Sequence, residues 1–343
     1  KGVQEVNIID IVKSITKYSK FVKSVEELKN SLVDAYDLAI NGRPGPVWID
    51  VPMDIQSKVI DDKDLDFLKI RKNLNKNKVQ DFQFDLHKLK EKLNNSKRPI
   101  VVAGYGIHIS HQRQQFINFI NTTTIPFVST YLGIDFVPTN HPYYIGRLGT
   151  KGDRAGNFSI NKSDFVLVLG SSLNITVTGF QYDFFAKDAE ICIVDIDDQE
   201  HKKNNINCSH FINSDLKDFF TNFNTKKIET EEWLGLCRKW TNNWPTFQKN
   251  YYNCEDGINM YLAVEMLHQV RKKRTIYVSD AGSAYYVTSQ SLKIEDGDRY
   301  ITSGAQADMG FTLPASIGVI NNCGSNYNVI GITGDGSLQM NIQ

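Results

Sequence analysis

The stretch Asn328-Val329-Ile330-Gly331-Ile332-Thr333-Gly334-Asp335-Gly336-Ser337 decides how the chain is read. Its first half is a continuous apolar run. That marks a strand buried on both faces, and hence a parallel sheet covered by helices. Its second half sets a carboxylate between two glycines where the strand ends. Carboxylate oxygen is a hard ligand suited to Mg²⁺ or Ca²⁺. Flanking glycines let the backbone come close to a phosphate, and a helix beginning there favours an anion. A local reading competes. Asp-Gly is a favoured hairpin turn, and Leu338-Gln339-Met340-Asn341-Ile342-Gln343 alternates as an edge strand would.

The same kind of run recurs upstream. It stands at Pro46–Pro52, Pro99–Gly104, Ile125–Thr130, Asp164–Gly170, Glu190–Asp195 and Thr275–Asp280, each time closing in Gly, Ser, Thr, Asp or Pro. The segments between them carry helical patterning. In the clearest, Ser24 and Glu27 form a capping box, Leu28, Leu32, Ala35, Tyr36 and Ala39 line one face, and Gly42 stops the helix. The fold class is therefore α/β, with parallel sheets covered by helices in successive doubly wound domains. Two polar stretches interrupt the rhythm. Residues 57–81 are rich in Lys, Asp and Asn and read as a linker. Residues 201–255 are polar but hold Trp233, Trp240 and Trp244, and read as an irregular connector whose aromatics pack on a domain.

Composition bounds the function. With 343 residues, 41% hydrophobic and 23% charged, the chain can form two or three domains. A formal net charge of zero speaks against a nucleic-acid or membrane-surface binder. No apolar run approaches the ~18–20 residues that span a bilayer. The five cysteines are scattered without a C-x-x-C pair, which suggests reduced, structural thiols in a cytoplasmic protein. The histidines have no metal-ligand spacing. His108 and His111, three apart after a strand, read either as a ligand-facing pair or as surface polarity.

Two further segments keep company with the terminal motif. Ser303-Gly304-Ala305-Gln306-Ala307-Asp308-Met309-Gly310 opens as a loop of small residues and continues through Phe311-Thr312-Leu313-Pro314-Ala315 into a helix. Ser279-Asp280-Ala281-Gly282-Ser283 is another strand end rich in small polar groups. Three such ends converging on one edge of a parallel sheet make a ligand site. In this order they resemble the diphosphate-binding domain of thiamine-diphosphate-dependent enzymes, in particular the acetolactate synthase group. The resemblance covers nearly the whole chain, with Gly42-Arg43-Pro44-Gly45-Pro46-Val47 its most distinctive early run. It implies a domain order: the last part of a pyrimidine-binding domain (1–57), a linker (58–81), a central FAD- or nucleotide-binding-like domain (82–225), a connector (226–257) and the first part of a diphosphate-binding domain (258–343).

By the match, Asp335 is the first Mg²⁺ ligand, and Gly334, Gly336 and Ser337 lie near the diphosphate. Gly282, Ser283 and Ala284 fall where the family's G-Q-H touches the diphosphate, although two of those three residues differ. Ala307 and Met309 fall on the loop beneath the thiazolium, where the family's methionine bends the cofactor. Under this resemblance Leu338–Gln343 continues a helix rather than a strand. The implied activity is decarboxylation of a 2-keto acid such as pyruvate and ligation of the two-carbon unit to a second carbonyl, using thiamine diphosphate and Mg²⁺, in a homodimer or homotetramer. The family's catalytic glutamate would lie upstream of Gln4 and its second metal ligand beyond Gln343, so the chain is expected to be an internal fragment, inactive alone.

FAD is the open cofactor. Gly104-Tyr105-Gly106 lacks the third glycine of a dinucleotide fingerprint, and the family's arginine-bearing segment reads Gly170-Ser171-Ser172 here. Arg147, Lys151 and Arg154 instead bring positive charge to the loop between them, for another anion or as solvated surface. With Met53 where synthases carry lysine, these departures keep a second reading open: a carboligase that delivers the two-carbon unit to a nucleotide-linked keto-sugar in surface-polysaccharide synthesis. A third is a degenerate, non-catalytic nucleotide-binding scaffold.

Overall fold

The computed structural model describes residues 2, 3, 5–61, 82–203, 205–255, 257–271, 273–304 and 306–343. The expected linker therefore lies outside the described residues from position 62 onward. The chain divides into two units, 1–80 and 81–343.

In the first unit β1 (Tyr18–Phe21) pairs in parallel with β2 (Val47–Asp50), Tyr18 opposite Val47. The helix Val25–Ile40 between them starts as expected. Ser24 Oγ accepts from the Glu27 N–H at 3.1 Å, and Glu27 reaches back to the Lys23 N–H at 2.7 Å. Gly42 follows it at φ +65°, the left-handed position that suits glycine after a helix. Lys17 Nζ donates to the carbonyls of Leu38 in the last turn, of the capping residue Asn41 and of Arg43 beyond it, covering groups at and just past the helix end. The buried face of this helix differs from the expected stripe. Ser31 and Ala35 are buried, whereas Leu32 and Tyr36 are 41% and 61% exposed. A two-stranded sheet is too narrow to cover a stripe of about 100°, and it meets the helix at Ser31, which bonds the Tyr18 hydroxyl at 3.1 Å.

The second unit holds two parallel sheets. The larger contains β3 (Pro99–Ala103), β4 (Phe127–Ser129), β5 (Tyr144–Arg147), β6 (Phe165–Leu169), β7 (Glu190–Asp195) and β8 (His210–Asn213), in the order β5-β4-β3-β6-β7-β8. Strand order reverses between β3 and β6, the arrangement of a doubly wound sheet. Every residue of β3 and β6 is buried. Val101, Ala103, Leu167 and Leu169 face one core, while Ile100, Val102, Val166 and Val168 face the other. Continuous hydrophobicity is the consequence of burial on both faces. The smaller sheet contains β9 (Thr275–Ser279), β10 (Arg299–Thr302) and β11 (Asn328–Ile332), in the order β10-β9-β11.

The stretch 201–255 is not irregular. It contains β8, the helix Leu216–Asn222 and the helix Glu231–Asn243. The last packs against the helix Arg154–Lys162, with Trp233 buried and its Nε1–H donated to the Pro99 carbonyl at 3.0 Å. Trp240 meets Trp233 edge-on, and Trp240 and Trp244 both meet Phe158. The aromatics pack as expected, but from a helix.

The two sheets are fastened by polar contacts. Asp135, after β4, accepts from His108 Nε2 and from Arg299 Nε, both at 2.7 Å, and from the Tyr300 N–H at 3.0 Å. Thr139 exchanges bonds with Ile294, and Gln290 Nε2 donates to the Gly152 carbonyl at 2.9 Å. His108 is thus a partnered, largely buried histidine, not half of a ligand-facing pair. Arg147 is buried as well. It donates to the Leu292 carbonyl and lies 3.7 Å from Asp153, so it is no part of a solvent-facing anion loop.

Candidate functional site at the carboxyl edge of the small sheet

Register places the strand ends in one row. Ser279 stands opposite Thr302 on one side and Ile332 on the other. Asp280, Ser303 and Thr333 are therefore the first residues past the sheet on its three strands. The crevice outside the carboxyl ends of such strands is where open α/β sheets bind ligands.

From β9 the chain turns through Asp280 and Ala281 into the helix Gly282–Ser291, with Gly282 at φ +59°. From β11 it passes Thr333 to Gly334, which caps the helix Asp335–Met340. The terminal motif therefore opens a helix and not a hairpin. That helix runs to Met340 rather than to Gln343; Asn341 has φ −135° and ψ 25° and donates its Nδ2 to the Gly310 carbonyl at 2.9 Å.

Between them runs the loop from β10. Gly304 packs on the ring of Tyr285, so closely that a Cβ would lie 2.8 Å from Cε2. Ala307 has φ +57° and Gly310 φ +85°, which fold the loop back onto the terminal helix. The Met309 side chain is half exposed, its Cε 3.5 Å from where a Gly336 Cβ would stand. Met309, Gly336 and the Gly334–Asp335 turn are thereby brought together.

The glycines test whether a ligand fits. A Cβ on Gly282 or Gly334 would meet nothing within 4 Å, and on Gly336 only the Met309 methyl. Gly334 has an ordinary extended φ of −79°. Neither crowding nor backbone angle requires glycine there, so the missing side chain leaves bare backbone facing open space. Asp335 is exposed, and no hydrogen bond or ion pair to its carboxylate is present among the described residues. A free hard-oxygen ligand beside bare backbone suits a metal-bound diphosphate. The other named residues divide. Ser283 is exposed at the helix start, while Ala284 and Ser337 are buried and turned from the opening.

Asp280 and Thr333 received no role from the sequence. Asp280 is wholly buried, accepting from the Ala281 N–H at 2.7 Å and from the Thr333 hydroxyl at 2.8 Å. An acidic residue closing a buried apolar run was the available signal.

The switch point of the large sheet is built differently. Gly104, Gly106 and Gly170 stack backbone on backbone. The Gly106 N–H bonds the Gly170 carbonyl at 2.9 Å, and a Cβ on Gly106 would lie 2.7 Å from Gly170 Cα. The loop after β5 also touches the short helix Ile175–Thr178 that follows β6, Thr150 N–H bonding the Thr176 carbonyl at 2.9 Å. These glycines are accounted for by packing, in contrast to Gly334.

Comparison with known proteins agrees with this geometry. Residues 86–222 match the family profile described as thiamine pyrophosphate enzyme, central domain, and residues 280–343 that described as thiamine pyrophosphate enzyme, C-terminal TPP binding domain. The chain is similar to the acetolactate synthase large subunit of Cyanidium caldarium (29% identical over 352 residues) and to the acetolactate synthase isozyme 2 large subunit of Escherichia coli strain K12 (28% over 345). It is similar also to the acetolactate synthase large subunit of Lactococcus lactis subsp. lactis (30% over 344). Each alignment takes in 99% of this chain but only 59%, 60% and 58% of the respective relative. The chain spans about three fifths of the length of these relatives, and with two consecutive domain profiles in register it belongs to the thiamine pyrophosphate enzymes.

Proposed function

We propose that the protein containing this chain is a thiamine-diphosphate- and Mg²⁺-dependent carboligase of the acetolactate synthase type, acting on a 2-keto acid such as pyruvate. The observation that carries the reading is the bare-backbone cradle of Gly282, Gly334 and Gly336, with Asp335 free on its rim and the Met309 methyl against Gly336. When bound, thiamine diphosphate supplies the electron sink for decarboxylation and for joining the remaining two-carbon unit to a second carbonyl. The residues of this chain bind and orient. Asp335 coordinates Mg²⁺. Gly334, Gly336 and Gly282 would let the backbone approach the diphosphate, and the exposed Ser283 would offer a hydroxyl. Buried Ser337 and Ala284 support the two helix starts from beneath. Ala307 and Met309 on the loop would support the cofactor, and the half-exposed Met309 would exclude water from that side.

Flavin is outside this reading. At the large sheet's switch point Gly104, Gly106 and Gly170 are accounted for by close packing. The proposed domain division is 1–57, 58–81, 82–225, 226–257 and 258–343, in the roles given above. A homo-oligomer is proposed on the resemblance alone. A cytoplasmic site is supported by the free cysteines. No helix among the described residues is long and apolar enough to cross a membrane.

Titration calorimetry with thiamine diphosphate and Mg²⁺ tests the assignment. Asp335→Asn is expected to weaken binding by at least about tenfold, as loss of one charged metal ligand should, and chelation of Mg²⁺ to abolish the difference between the two proteins. Binding indifferent to both changes would overturn the metal role of Asp335.

A further inference from the structure

We infer that Asp280 and Thr333 form a positioning pair that holds the two glycine lips of the cradle at a fixed separation; this rests on the cofactor reading above. Asp280 occupies the middle of the row at the carboxyl edge, on the central strand of the sheet. Its side chain is completely buried, and it joins no ion pair among the described residues. A carboxyl group so placed is costly unless hydrogen-bonded. Both of its observed partners belong to the cradle. One oxygen takes the Ala281 N–H, immediately before Gly282. The other takes the hydroxyl of Thr333, immediately before Gly334.

The bond spans a gap that the sheet no longer controls. Ladder pairing between β9 and β11 ends at Ser279 and Ile332. One residue later, the Asp280–Thr333 bond is the cross-strand contact that continues the register into the two turns. The Thr333 hydroxyl also approaches the Gly334 carbonyl at 3.3 Å, so its position is coupled to that peptide's orientation. Neither Gly282 nor Gly334 has a neighbour within 4 Å of a Cβ that could hold it from the open side. Restraint of the lips comes from beneath, and this pair supplies it.

The test uses Thr333→Val, which keeps the shape and removes the donor, and Thr333→Ser, which keeps the donor. Thr333→Ala takes the place of the valine variant if that protein does not fold. Two readouts are taken on each: hydrogen–deuterium exchange of segments 281–284 and 334–338, and the dissociation constant for thiamine diphosphate with Mg²⁺. Thr333→Val is expected to speed exchange in both segments and weaken binding by about tenfold, with Thr333→Ser restoring both. Unchanged exchange overturns the inference, as does faster exchange with unchanged affinity. If the parent protein binds no thiamine diphosphate, the cofactor reading falls by itself, and exchange alone decides whether the pair fixes the lips.

Discussion

Single glycines separate what the fold needs from what a ligand needs. Gly334 has an extended backbone and no neighbour, so Gly334→Ala is expected to cost only the helix-cap preference, at most about 1 kcal/mol. The added methyl would stand in the cradle, and calorimetry should show thiamine diphosphate binding weakened by at least about tenfold. A stable variant that binds as before would remove Gly334 from the site. By its residues alone the terminal motif also read as a hairpin turn; the helix reading came from the resemblance carried by Gly334–Ser337, the Met309 loop and Gly282. Asp280 was not legible, because its value lies in standing opposite Thr333, and that register arises only when β9 and β11 pair. The inward turn of Ala284 was hidden for a similar reason, since it depends on which face of its helix meets the sheet.

At the scale of elements, legibility followed burial. β3, β6, β7 and β9 are strands with neighbours on both sides, and their unbroken apolar runs announced them. The strands that went unread, β1, β5, β8 and β10, all lie at sheet edges, but so do β2 and β11, whose apolar runs were read; β11 is only partly buried, not buried on both faces as its run suggested. Edge strands carry polar residues such as Lys20, His210 and Arg299, which blur the run. One of these, β10, is held by Asp135. Burial by itself pushes the Asp135 carboxyl up, but the His108 hydrogen bond, the charges of His108 and Arg299 and the Tyr300 N–H outweigh it and hold the group below the ordinary carboxylate value. A lowered folded-state pKa adds stability above the unfolded value, about 3.9, and that contribution is lost as pH falls through the folded one. Asp135→Asn is therefore expected to lower unfolding free energy by roughly 3 kcal/mol near pH 7. In urea titrations the gap to the parent should narrow below about pH 4. A gap that stays constant into acid would mean that the charge of Asp135 contributes nothing.

Across the whole molecule the two cores of the large sheet enclose the thiols most deeply. Cys192 and Cys237 are buried among them, and burial raises both, Cys237 to about 12. Cys254 is exposed. Ellman's reagent is expected to modify Cys254 first, and Cys254→Ser to remove the fastest phase. Cys192 and Cys237 should react only on unfolding, and their early labelling would contradict the packing. That same layered packing has a kinetic cost. Among the described residues the pairings in both sheets are parallel, and the central one joins Pro99 to Phe165 across two intervening strands and their helices. No strand can find its partner through a tight turn, so loop closure must precede any reward from pairing. Folding is therefore expected to be slow for the chain's size, leaving apolar strands open to other chains meanwhile, so that lower expression temperature and chaperone supply should raise yield.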